Sequence, residues 1–453
     1  MHDLSTTLAA VATASGRGGI GCLRISGPDA YAIACALFST RGALELPGDG
    51  RPRFGTFLDE DAKPLDHGYL VAFPPGRAYT GEPTVEFWTH GSPPILEALT
   101  RAAVARGAVP AGPGEFTYRA LRRGRLDLTR AEAVRDLIAA RTAYQARVAF
   151  RQVGGALARR LVPLRTALID LVASGEAAIE FADEAETHLA TGALARGVAS
   201  ATAAAEALAD EARRGRIVQT GARVALSGVT SVGKSSVFNR LLGRDRAIVS
   251  PAPGTTRDTL EETFDLDGIP VTLIDTAGVR PVSDAVEAEG VRRAQQATGE
   301  ADLVLQVLEA GRSLRADERD ALDGRASAGA APSIVVVNKV DLAAPGGPGP
   351  QWPGAIRISA LTGEGLPELR LRIREALCGA GPLEDPVLTN DRHLAAIEAT
   401  LAALHRARHA VPLGEELVLE DLRAALHALG ELTGEFGNED LYDRIFSTFC
   451  IGK

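Results

Sequence analysis

Residues 228–235, which read Gly-Val-Thr-Ser-Val-Gly-Lys-Ser, constrain the fold of this chain more than any other segment. They follow the apolar run 224–226 and precede a segment of helical spacing that begins at Ser236. The two glycines let successive backbone N–H groups point at one centre, and the helix N-terminus adds partial positive charge there. The spacing predicts a strand, a phosphate-binding loop (P-loop) and a helix, with Lys234 reaching the β- and γ-phosphates and the Ser235 hydroxyl binding magnesium.

Two shorter segments extend this prediction toward a magnesium-dependent site. Residues 275–278 read Asp-Thr-Ala-Gly and follow an apolar run, which places them at the end of a strand. The Asp275 carboxylate would hold magnesium through water, and the Gly278 N–H can sense the γ-phosphate. Between this segment and the P-loop lies Thr256, the expected second protein ligand of magnesium.

Residues 338–341, Asn-Lys-Val-Asp, follow a further apolar run and indicate which base is bound. The Asp341 carboxylate can accept two hydrogen bonds from guanine, whereas adenine offers no such pair of donors. Lys339 can lie along the base, and residues 359–360 would supply a backbone N–H to the guanine oxygen. Because the motifs occur in the required order, each after a predicted strand, the sequence predicts a guanine-nucleotide domain.

The pattern of predicted elements divides the chain of 453 residues into about three domains. The fold class predicted is multidomain α/β: an N-terminal α+β domain, an all-α helical bundle domain, and a P-loop (Ras-like) GTPase domain inserted into the helical domain. The predicted boundaries are 1–124 for the α+β domain, 125–216 and 381–453 for the two parts of the helical domain, and 217–380 for the nucleotide domain.

Composition and charge narrow the class of protein. Neither a signal peptide nor an apolar run long enough for a membrane helix is evident, and the four cysteines show no metal or redox spacing. The net charge of −9 argues against a protein that coats nucleic acid by electrostatics alone. We therefore predict a cytoplasmic protein with no membrane and no DNA partner. A cluster of arginines favours a solvated helix face over an anion site: Arg119, Arg122, Arg123, Arg125 and Arg130.

Three features of the sequence resemble the tRNA-modifying GTPase family known as MnmE or TrmE. The chain ends Phe-Cys-Ile-Gly-Lys at residues 449–453, which is similar to the C-terminal signature of that family. Residues 112–119 with 126–132 look like its N-domain boundary, and residues 17–26 look like its N-terminal strand region. The resemblance covers essentially the whole chain. Ribosome-assembly GTPases share the nucleotide motifs but neither terminus.

The resemblance implies an activity that the spacings do not show. Members work with a flavoprotein partner, MnmG, which carries FAD, to add a carboxymethylaminomethyl or aminomethyl group to C5 of the wobble uridine of certain tRNAs. The one-carbon unit comes from a tetrahydrofolate derivative (5-formyl- or methylene-tetrahydrofolate) bound by the N-terminal domain, which also forms the homodimer. The positions that match its folate contacts are Arg24, Glu86, Arg125 and Lys453, although the family usually has lysine at Arg125. Cys450 matches the family's C-terminal cysteine, a candidate for the modification chemistry, or is simply a small apolar side chain.

The resemblance also implies how GTP is hydrolysed. Val279 follows Gly278 and cannot orient water, so Glu287 would do so through a bridging water, together with Lys234 and Thr256 as catalytic residues. Two GTPase domains meet across their nucleotide faces, and a potassium ion replaces an arginine finger. The positions that match the potassium ligands are Ser231, Ser250, Ala252 and Thr255. Because the family typically carries Asn where this chain has Ser231, we predict weaker potassium affinity or selectivity.

The nucleotide-contacting positions implied in this way are Ser231, Val232, Gly233, Lys234, Ser235, Ser236, Ser250, Thr255, Thr256, Asp275, Thr276, Ala277, Gly278, Asn338, Lys339, Asp341, Ser359 and Ala360. An alternative function is a ribosome-assembly-type regulatory GTPase without modification chemistry. Such a protein would be expected to carry a basic RNA-binding domain or a tandem GTPase domain, and this acidic chain has neither. A third interpretation is a folate-binding dimer that only signals its nucleotide state.

Overall fold

The computed structural model describes residues 3–41, 44, 46, 50–180, 187–243, 260–275, 298–315, 318–319, 322, 331–343, 352–379, 386–435 and 439–453. The chain divides into two compact units. One comprises residues 1–135, 152–158 and 429–453, and the other comprises residues 136–151 and 159–428. Two β-sheets together with long helices confirm the predicted multidomain α/β class.

A seven-stranded sheet forms the centre of the first unit. Its spatial order is β3-β4-β5-β6-β2-β1-β7, and neighbouring strands run antiparallel except for the parallel pair β1 and β7. The strands are β1 (Leu8–Val11), β2 (Gly18–Ser26), β3 (Phe38–Ser39), β4 (Arg53–Leu58), β5 (Pro64–Phe73), β6 (Thr84–Gly91) and β7 (Val109–Pro110). The strand region at residues 17–26 that the resemblance implied contains β2, whereas nothing in the sequence indicated β4 or β5.

One face of this sheet is covered by helices α1 (Ala30–Leu37) and α2 (Pro93–Val104). Alternate residues of β2 and β6 point to that face, so Leu23, Ile25 and Phe87 are buried against the two helices. Residues on the opposite face include Arg24 and Glu86, which are direct cross-strand partners. The alternation therefore separates the apolar core from a second face, on which Arg24 and Glu86 lie beside the exposed aromatic side chains of Phe54, Tyr69 and Trp88.

The C-terminal residues of the chain belong to the same unit. Helices α3 (Glu115–Arg122), α4 (Leu128–Ala139) and α12 (Glu439–Phe446) contribute to an aromatic cluster that includes Tyr118, Phe446 and Phe449. The last residues then form a bridge between Ile451 and Pro113, and the Phe116 N–H donates to a backbone oxygen of Lys453 at 3.2 Å. These contacts fix the C-terminal segment beside the start of α3.

The arginine cluster predicted as a solvated face contains one residue for which that prediction is wrong. Arg119 is fully buried and donates to the Thr6 carbonyl at 2.6 Å, to the Asp3 carbonyl at 3.0 Å and to Glu82 at 3.2 Å. Glu82 is also buried and forms a second ion pair, with Arg123. Burial of the charge is tolerable because the guanidinium is paired and hydrogen-bonded.

The long helices of the second unit lie partly before and partly after the strands of its sheet along the chain. Before it come α5 (Ala143–Val153), α6 (Ala156–Glu180) and α7 (Thr187–Thr220), and after it come α10 (Asp391–Ala410) and α11 (Glu415–Thr433). Helix α10 packs along α7, with Arg213 donating to Glu398 at 3.1 Å. The helical segments that flank the sheet in sequence therefore lie together in space.

The second unit also contains a six-stranded sheet with the spatial order β13-β12-β11-β8-β10-β9. All neighbouring pairs are parallel except β9 and β10. The strands are β8 (Ala222–Ser227), β9 (Leu260–Leu266), β10 (Ile269–Asp275), β11 (Leu303–Glu309), β12 (Ser333–Asn338) and β13 (Ile356–Arg357), and helices α8 (Lys234–Leu242) and α9 (Leu366–Cys378) pack against them. Side chains on both faces of the sheet are buried, such as Leu305 on one face and Val304 on the other. Ligand sites in such sheets form at the carboxyl ends of the strands. In the part of the chain that the structure describes, no helix is long and apolar enough to cross a membrane.

Candidate functional site

The P-loop connects the carboxyl end of β8 to the N-terminus of α8. Gly228 and Gly233 have φ angles of +146° and +93°, in the region that favours glycine. A Cβ at Gly228 would lie 2.4 Å from the Val307 carbonyl oxygen, and a Cβ at Gly233 would lie 2.4 Å from the Asn338 side-chain nitrogen. Both glycines are therefore required by backbone conformation and by close approach.

Lys234 is the first residue of α8, and its side chain is buried inside the loop. Its ammonium donates to the Gly228 carbonyl at 2.6 Å and to the Val229 carbonyl at 2.9 Å. Burial lowers the pKa of Lys234, and the negative charge of Asp275 opposes that shift. The cation is thus held, partly desolvated, within the loop whose N–H groups would receive a phosphate.

Ser235 and Asp275 lie together on the neighbouring ends of α8 and β10. The Ser235 hydroxyl donates to a carboxylate oxygen of Asp275 at 2.9 Å, and Asp275 is almost fully buried. A hydroxyl and a carboxylate oxygen are hard ligands of the kind that magnesium prefers. The two residues fit the predicted magnesium site.

Asn338 joins the P-loop to the segment predicted to recognise the base. Its side-chain amide donates to the Val232 carbonyl at 3.0 Å and accepts from the Ala360 N–H at 3.0 Å. Lys339 has a φ of +66°, and its ammonium donates to the Ser231 carbonyl at 2.7 Å. Asp341 follows in the short 3-10 helix Val340–Leu342, and Ser359 is buried beside Ala360. The structure therefore brings three of the predicted segments into one contiguous site.

Several predicted positions lie outside the described residues. They are Ser250, Ala252, Thr255, Thr256, Thr276, Ala277, Gly278 and Glu287. Their predicted roles in catalysis, magnesium binding and potassium binding stay predictions.

One residue beside the site was missed by the sequence analysis. Glu309 is the last residue of β11, and its carboxylate accepts from the Lys339 ammonium at 2.7 Å. The pKa of Glu309 is lowered, chiefly by that hydrogen bond. The signal in the sequence was a single acidic residue at the carboxyl end of an apolar strand. No short motif contains it.

In the first unit, two of the four predicted folate positions, Arg24 and Glu86, contact each other. A third, Lys453, is represented by its neighbour Gly452. Arg24 donates twice to one oxygen of Glu86, at 2.8 and 3.0 Å, and once to the Gly452 carbonyl at 3.2 Å. The other Glu86 oxygen accepts from the Trp88 indole at 3.0 Å. Lys453, the residue after Gly452, accepts from the Phe116 N–H through a backbone oxygen. Half-buried polar groups and the C-terminal segment therefore meet on the face of the sheet that carries Arg24 and Glu86.

The remaining candidates of this unit differ in their surroundings. Arg125 is exposed and donates to the Gly76 carbonyl at 3.4 Å, and none of the described contacts joins it to Arg24 or Glu86. Cys450 is exposed, whereas Cys22 is buried on the strand that carries Arg24. Burial, with a smaller contribution from Glu86, raises the pKa of Cys22 to about 12. Cys450 is therefore the accessible thiol of the two.

Comparison with known proteins covers almost the whole chain. The family model described as the MnmE helical domain matches residues 128–450, and the model described as the GTP-binding protein TrmE N-terminus matches residues 7–125. The tRNA modification GTPase MnmE of Koribacter versatilis is 42% identical over 459 residues, and the match covers 100% of both chains. The tRNA modification GTPase MnmE of Thermus thermophilus is 41% identical over 454 residues, also covering 100% of both.

Among solved structures, Era from Aquifex aeolicus is 28% identical and covers 40% of this chain and 66% of that chain. Its TM-score of 0.28 is too low to support a structural argument. The full-length identity to the curated relatives and the two matching family models carry the assignment instead. This chain belongs to the MnmE family of tRNA modification GTPases.

Proposed function

We propose that this chain hydrolyses GTP and, with the flavoprotein MnmG, adds a carboxymethylaminomethyl or aminomethyl group to C5 of the wobble uridine of certain tRNAs. The observation that carries this proposal is the identity to MnmE proteins over the full length of both chains, which includes both termini as well as the nucleotide motifs. The domain boundaries at residues 124, 216 and 380 and the cytoplasmic location stay predictions.

In this proposal the residues around the P-loop bind GTP and magnesium. Lys234 leaves its carbonyl partners for the β- and γ-phosphates, since a phosphate compensates its charge better than two carbonyl oxygens do. Ser235 would hold magnesium directly and Asp275 would hold it through water, in place of the hydrogen bond that now joins the two residues. The carboxylate of Asp341 selects guanine. Thr256 would be the second protein ligand of magnesium, and Glu287 would orient the attacking water.

A potassium ion at the interface of two GTPase domains would supply the positive charge that an arginine finger supplies elsewhere. Ser231, Ser250, Ala252 and Thr255 are its proposed ligands. Ser231 has a left-handed backbone and an exposed side chain. Its hydroxyl is shorter than the amide of asparagine, so a water would complete the contact.

The face of the first sheet that carries Arg24 and Glu86 is the proposed site of the tetrahydrofolate derivative. The carboxylate of Glu86 can pair with the amino and ring N–H groups of a pterin, and it already stands among donors, namely Arg24 and the Trp88 indole. The positive charges of Arg24, Arg125 and Lys453 suit the glutamate tail. The same N-terminal domain would form the homodimer, and Cys450 is the candidate for the modification chemistry.

Binding of 5-formyltetrahydrofolate to the purified chain tests the folate part of this proposal. We expect E86Q to weaken binding by about tenfold or more, because a neutral amide offers a single acceptor where the pterin presents two donors. E97Q is the matched control, since Glu97 is an exposed residue of α2. Equal affinity for the unsubstituted chain and E86Q would reject Glu86 as the pterin ligand, and no binding to either would reject the folate site.

A further inference from the structure

The Lys339 ammonium donates hydrogen bonds to Ser231 and to Glu309, and the sequence predicted no role for Glu309. One contact runs to the Ser231 carbonyl in the P-loop at 2.7 Å, and the other runs to Glu309 at 2.7 Å. The three residues come from the P-loop, the end of β11 and the segment after β12. A single cation therefore ties three separate parts of the nucleotide site together.

The two residues joined by this contact, Ser231 and Lys339, both have left-handed backbone conformations, which residues other than glycine rarely adopt. The φ angle is +68° at Ser231 and +66° at Lys339. Such conformations persist only where the surroundings hold them in place. The hydrogen bond between the Lys339 ammonium and the Ser231 carbonyl is one such restraint, and Glu309 fixes the ammonium that makes it.

A second layer of charges holds Glu309. Arg312 approaches the other Glu309 oxygen at 3.4 Å, and it donates to both oxygens of Glu318, at 2.7 Å for the first. Glu318 is buried and also accepts from the Arg315 N–H at 2.9 Å. We call the residues Ser231, Lys339, Glu309, Arg312 and Glu318 the P-loop brace.

The pKa values agree with a tightly coupled brace. Hydrogen bonding to Lys339 lowers the pKa of Glu309, and hydrogen bonding to Arg312 lowers the pKa of Glu318. Hydrogen bonding to Glu318 raises the pKa of Arg312. All three groups therefore stay charged at neutral pH.

We propose that Glu309 is a positioning residue for guanine-nucleotide binding, which acts by holding Lys339 against the P-loop before the nucleotide arrives. The proposal rests on the nucleotide site described above. A partly exposed ion pair contributes little by itself to folding stability. Its effect on binding is larger, because a free Lys339 would lose side-chain freedom when the base docks, whereas a restrained Lys339 has already lost it. Arg312 and Glu318 support Glu309 in the same way.

The test is the dissociation rate of a fluorescent GDP analogue from the full-length chain, measured by stopped flow. We expect E309A to raise this rate by about tenfold and E309Q by about threefold, because the neutral amide keeps one acceptor without the charge. KM for GTP should rise, while kcat at saturating GTP should change by less than about twofold. E261A is the matched control, since Glu261 makes a similarly exposed ion pair with Arg223 on β8 and β9 of the same sheet.

A double substitution separates positioning from a general structural effect. In a K339M background, which keeps the aliphatic stem and removes the ammonium, E309A should have no further effect on dissociation. Thermal unfolding of the nucleotide-free variants checks that they are folded, and E309Q preserves the shape of the side chain. A dissociation rate for E309A within twofold of the unsubstituted chain, or an undiminished effect in K339M, would overturn the role of Glu309. Absence of GDP binding by the unsubstituted chain would instead reject the nucleotide site itself.

Discussion

The resemblance predicts an asparagine in the P-loop where this chain has Ser231, and the structure adds a second reason why that position matters. Its φ of +68° lies in the left-handed region, where asparagine is enriched over most other residues. Asparagine would therefore suit the backbone conformation and would also present a longer oxygen ligand to an ion. Serine satisfies both requirements less well.

We expect S231N to increase the potassium stimulation of GTP hydrolysis. It should also stabilise the fold by about 0.5 kcal/mol, because asparagine adopts the left-handed conformation a few-fold more readily than serine. The measurement compares hydrolysis rates in potassium and in sodium salts for both chains. S200N, at an exposed position of α7 with no role in the nucleotide site, is the control. Strong potassium-specific stimulation of the unsubstituted chain at low concentration would contradict the predicted weakness of Ser231 as a ligand.

The buried ion pair between Arg119 and Glu82 gives a prediction about stability. R119A should lower the free energy of unfolding by about 3–5 kcal/mol, because it leaves the buried Glu82 carboxylate with less compensation. Chemical denaturation followed by circular dichroism measures the effect. R101A, at an exposed position of α2, should cost less than about 1 kcal/mol. Similar effects for the two variants would show that the Arg119 network is not a structural anchor.

The sequence could not distinguish Arg119 from its neighbours. Helical spacing and a run of basic residues indicate a solvated face, but the partner that decides the outcome, Glu82, lies 37 residues away. Glu309 was missed for a related reason, since no short motif contains it and its role depends on where Lys339 is placed. Gly228, Gly233 and Lys234 were predictable because their function requires fixed local spacing.

At the scale of elements, the parallel sheet and the long helices were predictable, whereas β4 and β5 were not. Each of those strands contains a glycine that weakens its strand signal, Gly55 in β4 and Gly68 in β5. A Cβ at Gly68 would lie 2.1 Å from the Trp88 carbonyl oxygen, and a Cβ at Gly55 would lie 2.4 Å from the Phe38 ring. Close packing between elements thus selected the residues that made these strands difficult to predict.

The turn between β9 and β10 gives a prediction at the scale of elements. Thr142, just before α5, donates to the Gly268 carbonyl at 2.6 Å, and Tyr144 packs against Gly268, whose φ is +102°. G268A should destabilise the protein by about 2–4 kcal/mol, because the new Cβ would lie 2.7 Å from Tyr144 in a disfavoured conformation.

The matched control for this turn is G299A. A Cβ at Gly299 would meet nothing within 4 Å, so this substitution should change the free energy of unfolding by less than about 1 kcal/mol. Thermal unfolding compares the two variants. Equal stability of G268A and the unsubstituted chain would mean that the turn does not depend on contact with Tyr144.

At the scale of the whole molecule, residues that are far apart in sequence form the proposed folate site. Arg24 and Gly452 are 428 residues apart, yet the guanidinium of one donates to the carbonyl of the other. Spacing alone could not have predicted this contact, and only the resemblance of both termini to one family suggested it. The same resemblance implied the partner protein and the tRNA substrate, which no local pattern specifies.

The most direct test of the account is to delete the gene in the source organism and analyse the wobble nucleosides of its tRNAs by mass spectrometry. We predict that C5 aminomethyl-type groups disappear from wobble uridines, that the unsubstituted chain restores them, and that K234A does not, because it lacks the phosphate-binding ammonium. Unchanged wobble-uridine modification in the deletion strain, with no redundant enzyme present, would contradict the central claim.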